Sequence, residues 1–197
     1  MQAARGASLS PSDESPTPGR PASRASVVPR SRYLLLFGGV ALAGYVADLT
    51  TKMLVVKHLT PGQPVQVVGD LFRFDLARNP GAAFSTGTSY TLLISLVAIA
   101  AVVVVLWVAR RLGSTGWAVG LGFLMAGVLG NLTDRIFREP SVLHGHVVDF
   151  LQLPHFPVFN VADVCINIAA VFVVVQAVRG IGVDGRRHEH HRETPAQ

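Results

Sequence analysis

Charge is scarce in this chain. Asp, Glu, Lys and Arg make up 15% of it, while half of the residues are hydrophobic. An ordinary soluble domain is about one quarter charged. The apolar residues are gathered into runs, and a bilayer crossing needs about 20 mostly apolar residues. The composition therefore excludes an ordinary soluble domain and points to a membrane protein. Cysteine is almost missing too: Cys165 is the single one. One thiol closes no internal disulfide, and inside an apolar run it reads as a small packing residue. A serine nucleophile elbow and an HExxH metal helix are also absent. Ser85 and Ser89 have no Lys or His at a spacing that argues for a dyad.

Acidic residues are outnumbered, leaving a net charge of +5. The arginines sit in the tails and one short loop, not along a helix face interleaved with aromatics. Nucleic-acid binding is not the reading that follows. Residues 1–32 are rich in Ser, Pro, Ala and Arg and cannot bury enough surface to offset their ordering entropy, so a disordered tail is expected. The run that follows leads into Asp48 and Lys52 with no small-residue cleavage site, which favours an uncleaved first span.

Four spans are expected, at about Tyr33 to Val56, Tyr90 to Ala109, Trp117 to Thr133 and Val158 to Val178. Arg20, Arg24, Arg30 and Arg32 precede the first span. Arg110 and Arg111 lie between the second and third, and Arg179, Arg186, Arg187 and Arg192 follow the fourth. The positive-inside rule puts all three segments in the cytoplasm, and the loops 57–89 and 135–157 face outward. In the first of these, VQVVGDLFRFDLARN partly alternates apolar and polar residues and is rich in Val and Phe. That predicts short strands, hence a small surface sheet between helices one and two that needs support beyond its own hairpin. A Pro-Gly turn follows in NPGAAFS. The C-terminal HEHH run reads as a solvated tail rather than a metal site. His144 and His146 form no convincing ligand set.

Ionisable residues in spans are costly, at about 2.5–3.5 kcal/mol each on insertion scales, and usually mark function. Here they gather near the outward ends. Asp48 and Lys52 stand at i, i+4 and share a helix face, which reads first as a structural ion pair. Asn131, Asp134 and Arg135 form one stripe, in which Arg135 offers a planar fork of donors. Asp149 lies between Val147, Val148, Phe150 and Leu151, where burial would raise its pKa. Asn160, Asp163 and Asn167 share a face that must turn toward the bundle or a wet cavity. Four aspartates can thus converge near the outer surface. Two close carboxylates sharing one proton form an acid and a base able to activate water on an amide. Spacing and hydropathy do not choose the pair. Two non-enzymatic readings stand beside this one. A small transporter is disfavoured because the polar groups cluster at one surface rather than the midplane. A scaffold subunit would use the stripes only to hold helices together.

The ordered motifs DLTTK, RNPGAAFS, GNLTDR, HVVDF and FNVAD resemble those of lipoprotein signal peptidase, also called signal peptidase II, an aspartic peptidase family. The likeness runs from about Asp48 to Asn167. It implies an all-α membrane fold of four transmembrane helices with a small periplasmic sheet and cytoplasmic termini. On this reading residues 33–180 would form the peptidase domain, with 1–32 and 181–197 expected as disordered cytoplasmic tails. It implies removal of the signal peptide from diacylglyceryl-modified prolipoproteins, just before the lipidated cysteine, by a monomer in the bacterial inner membrane that contacts lipid and uses no metal or organic cofactor. The catalytic pair it implies is Asp149 with Asp163. Asn79, Gly81, Asn131, Asp134, Arg135 and Asn160 match positions that shape the site or bind substrate, and Asp48 and Lys52 match a structural motif. The stretch IFREPSVLHG is longer than the shortest family versions, which bears on substrate contacts near the site.

Overall fold

The computed structural model describes residues 29–81 and 89–187. Ser85, the HEHH run and nearly all of the N-terminal tail lie outside the described residues. Four helices are long and apolar enough to cross a membrane: α1 (Arg30–His58), α2 (Ser89–Ala109), α3 (Thr115–Phe137) and α4 (Val161–Val178). At about 1.5 Å per residue, α4 is roughly 27 Å long and α1 roughly 44 Å, so α1 outreaches a hydrocarbon core of about 30 Å.

Helix α3 is the hub. Its apolar window is 56% buried, against 17–22% for the others, and it packs against all three, most extensively against α4 and α1. Its sequence permits this. A Cβ at Gly127 would run into the Ala162 carbonyl and Ile166, and one at Gly130 into the Asp48 carboxylate. Small residues let membrane helices approach where no hydrophobic force drives them together. Gly130 therefore does two things: it admits α4, and it leaves room for a charged side chain from α1.

The sheet has three strands, β1 (Val65–Val68), β2 (Phe72–Asn79) and β3 (Val147–Gln152), in the order β1-β2-β3 and antiparallel throughout. The first two form the expected hairpin between α1 and α2, turning through Gly69 at φ +47°. The third corrects the expected placement, because it comes from between α3 and α4. Val147, Val148, Asp149 and Phe150 are all buried, so β3 lacks the alternation that announces a strand covered on one face. Leu76, Val148 and Phe150 form a core beneath the sheet with Val55, Val56 and Leu59 from the end of α1. That core and the third strand supply the support a lone hairpin lacks.

Other boundaries also shift. Helix α3 runs to Phe137, so Asp134 and Arg135 lie within it. Asn160 is the N-cap of α4 rather than an interior residue. Beyond α4 the chain does not start a tail at once. Ile181 bridges to Arg187, Gly113 N donates to Val183 O at 2.9 Å, and Trp117 Nε1 donates to Ile181 O at 2.7 Å. Residues 181–187 thus fold back on the α2–α3 connection.

Candidate active site

Lys52 is fully buried, and its ammonium meets three oxygens: Asp48 Oδ2 at 2.8 Å, Asp134 Oδ2 at 2.9 Å and Asn131 Oδ1 at 3.0 Å. An ammonium has three donors; here one is hydrogen-bonded to Asn131, and the two carboxylates are held as ion pairs. Asp134 also pairs with Arg138, one turn on, and accepts from Val148 N at 3.1 Å. Asp48 Oδ1 accepts from Ala162 N at 2.8 Å. These carboxylates therefore act as clamps: Asp134 ties α3 to β3, and Asp48 ties α1 to the start of α4. The i, i+4 pair read from the sequence is present, but half of Lys52's charge is spent on a second carboxylate 82 residues away in the chain.

Above this ionic layer lies a layer of amides. Asn131 Oδ1 also accepts from Asn160 Nδ2 at 3.1 Å, and Asn131 Nδ2 donates to Asp163 Oδ1 at 2.9 Å. Asn160 caps α4 through a reciprocal box. Its Oδ1 accepts from Asp163 N at 2.9 Å, while its own backbone N–H donates to Asp163 Oδ2 at 3.1 Å. Such a box satisfies two orphan helix donors and holds the N3 carboxylate at the positive end of the helix dipole. Asn160 Nδ2 then reaches Asp149 Oδ1 at 2.6 Å. One asparagine, itself fully buried, thereby joins both carboxylates.

Asp149 sits on β3 with 2% of its surface exposed. Its Oδ2 accepts from Asn79 Nδ2 at 2.9 Å, and Asn79 Oδ1 is held by Gly81 N at 2.8 Å. Gly81 has φ +91°, which only glycine adopts without strain, and a Cβ there would strike Ile94. Burial pushes the Asp149 carboxyl up from 3.8 to about 6. The Asn79 hydrogen bond opposes this, the charge of Asp163 adds to it, and Asn160 and Lys52 draw it back. The two aspartates therefore feel one another. Asp163 is half-buried and lines an open groove of about 710 Å³, walled by Phe156, Pro157 and Phe159 on one side and Val164, Ile168 and Val171 of α4 on the other.

The structure thus gathers Asp48, Lys52, Asn79, Asn131, Asp134, Asp149, Asn160 and Asp163 into one connected network, with Gly81 at its edge. Arg135 stands apart from its neighbour Asp134. Its guanidinium lies against Gly81, its charge is felt among Asp149, Asp134 and Asp163, and its Nη1 is buried with no hydrogen-bond partner among the described residues. Asn167 is exposed and bonds only the Asp163 carbonyl, at 2.9 Å. Among the described residues no group of three or more His, Cys, Asp or Glu is placed to hold a metal ion. Reading the sequence missed Arg138, whose signal was its i, i+4 spacing from Asp134. It also missed Thr91 and Ser95, polar residues that α2 buries. Thr91 Oγ1 donates to Pro80 O at 2.5 Å and Ser95 Oγ to Leu143 O at 2.6 Å, tying α2 to both loops that flank the site.

Residues 40–179 match the family described as signal peptidase (SPase) II. The chain is similar to the lipoprotein signal peptidases of Mycobacterium avium (49% identical, covering 81% of this chain and 87% of the relative), Streptomyces coelicolor (46%, 81% and 78%) and Mycobacterium tuberculosis (44%, 91% and 88%). Two solved structures, each described as a bacterial membrane enzyme, share the fold with TM-scores of 0.63. They are 22% and 21% identical and cover 76% and 81% of this chain and 94% of their own. The chain belongs to the signal peptidase II family.

Proposed function

We propose that this protein is an aspartic endopeptidase that removes the signal peptide from diacylglyceryl-modified prolipoproteins, cutting before the lipidated cysteine. The observation that carries the reading is the pairing of Asp149 and Asp163 through Asn160. One carboxylate is buried and poised near neutral pH, and the other opens onto an apolar groove beside a lipid-facing helix. A peptidase whose substrate carries acyl chains needs that juxtaposition. Family membership and similarity to named lipoprotein signal peptidases support it.

In this mechanism Asp163, ionised, takes a proton from water as the water oxygen attacks the scissile carbonyl carbon. Asp149, protonated, donates to the carbonyl oxygen. Burial pushes the Asp149 carboxyl up to about 6, which suits it to hold a proton. The tetrahedral intermediate collapses with a proton passing to the departing amine, leaving a free carboxyl on the signal peptide and a free amino group on the cysteine. Asn131 and Asn160 keep both carboxylates in register, and Arg135 offers an unspent donor beside them. Asp48, Lys52 and Asp134 serve as the support beneath. No cofactor enters these steps.

The peptidase unit is taken to begin near residue 33 and to extend through the fold-back at 181–187. Its carboxylate end and sheet face outward from the bacterial inner membrane, both termini are cytoplasmic, and it acts as a monomer. The test is to incubate the purified protein with one prolipoprotein in diacylglyceryl-modified and unmodified forms and to weigh the products. Release of a single signal peptide from the modified form is expected. Equal cleavage of both forms, or a cut elsewhere, would remove the lipid from the recognition argument.

A further inference from the structure

Beside the apolar groove lies a second recess, of about 510 Å³ and of different chemistry. It is lined by Asp70, Arg73, Gln152 and His155, with Pro154 at its base. The two hollows share Leu153 and Phe156 as a common wall. That wall is held in a particular shape. His155 adopts φ +57°, a conformation that a non-glycine residue takes only under constraint. Phe156 stacks edge-on against Phe159 at 5.6 Å, and Phe159 exchanges backbone hydrogen bonds with Leu151 of β3.

Position gives the recess its meaning. Arg73 and Gln152 are register partners across β2 and β3, and Gln152 lies three residues beyond Asp149 on the same strand. At about 3.3 Å per residue, the recess lies about 10 Å from the buried carboxylate, the reach of three extended residues. A lipid seated in the apolar groove hangs on the first residue after the cut, so the residues that follow it start beside the shared Leu153–Phe156 wall, within reach of the recess.

The cation lining it is Arg73. Arg73 is about one third exposed, whereas Asp70 is 88% exposed and touches it only loosely, at 3.4 Å. A pair this exposed is worth about 1 kcal/mol or less, so a carboxylate on the substrate can take Asp70's place on Arg73. Gln152 and His155 add donors. We infer that the recess is a specificity subsite for the mature part of the substrate, taking an acidic side chain about three residues beyond the lipidated cysteine, with Arg73 as its discriminating residue.

This inference rests on the proposed function and is tested separately from it. Three diacylglyceryl prolipoproteins are made that differ only at that position: Glu, Gln or Lys. With the wild type, kcat/KM is expected to fall in that order, with about a fivefold span from Glu to Lys, the scale of a partly screened ion pair gained against one repelled. The span shrinks as salt is raised. Arg73→Glu reverses the order, and Arg73→Gln removes the span. Each protein's rate with the Gln substrate is its own reference, so a loss common to all three substrates does not move the readout. If the charge-reversed variant does not fold, the span in Arg73→Gln decides. Equal ratios in wild type and variants, with the Gln substrate cleaved, would overturn the subsite alone. Failure of the wild type to cleave any of the three would overturn the proposed function on which it rests.

Discussion

Asp149 should make the folded protein less stable as pH rises through the weakly acidic range. Its carboxyl moves from 3.8 to about 6 on folding, a shift of about two units. At 1.36 kcal/mol per unit that is about 3 kcal/mol, and with 2% exposure little of it is lost to solvent screening. The sign follows from proton linkage. The folded state holds the proton more tightly, so this contribution is fully present below pH 3.8. It is lost as pH rises through about 6 and stays lost above. The assay compares wild type with Asp149→Asn in one detergent, measuring unfolding free energy by denaturant titration from pH 4 to 7.5. The Asn variant has no proton to lose. The difference between the two curves should therefore shift by about 2.4 kcal/mol in favour of the variant across that interval, whatever constant offset its altered hydrogen bonds introduce. The same group should give kcat/KM a falling limb near pH 6, where the proton donor is lost. A difference curve flat with pH would refute the reasoning, because Asp149 would then titrate alike in both states.

Other residues of the network make distinct predictions. Lys52→Met removes a buried ammonium from two carboxylates and should cost about 3–5 kcal/mol, while adding Asp48→Leu should recover part of it. Both are read from unfolding in detergent. Gly130→Ala drives a Cβ into the Asp48 carboxylate and should cost about 1–3 kcal/mol. Gly38→Ala, with open space around it, should change stability by less than about 1 kcal/mol in the same assay. Asn160→Ala strips the cap of α4 and should lose about 1–2 kcal/mol, together with most of the activity, because Asp149 and Asp163 lose their shared partner.

Much of this was legible because membrane helices write themselves in runs and turns. The span Tyr90 to Ala109 needed only hydropathy, and Asp48 with Lys52 needed only the helical period. What could not be read were approaches between distant segments. Nothing near Lys52 announces Asp134 or Asn131, which arrive only because Gly127 and Gly130 let α3 close on its neighbours. Nor does HVVDF announce a strand. Its buried residues do not alternate, since helix ends cover one face and the other looks into the site. Asn160 looked like part of a helical stripe because a cap and an interior residue share the same spacing from Asp163. The choice of Asp149 and Asp163 among four aspartates came from resemblance. The proposed pair differs from the other two in its contacts: Asp48 and Asp134 are spent on Lys52, Arg138 and backbone N–H groups. Among the described residues, Asp149 and Asp163 are held only by amides, with no cation bonded to either.

The most direct test of the central claim is the cleavage rate of a diacylglyceryl prolipoprotein by Asp149→Asn and Asp163→Asn, each first verified as folded. Loss of general acid or base assistance predicts a fall of at least about a thousandfold in kcat for either variant, with substrate binding retained. Cleavage near the wild-type rate by either folded variant would contradict the account.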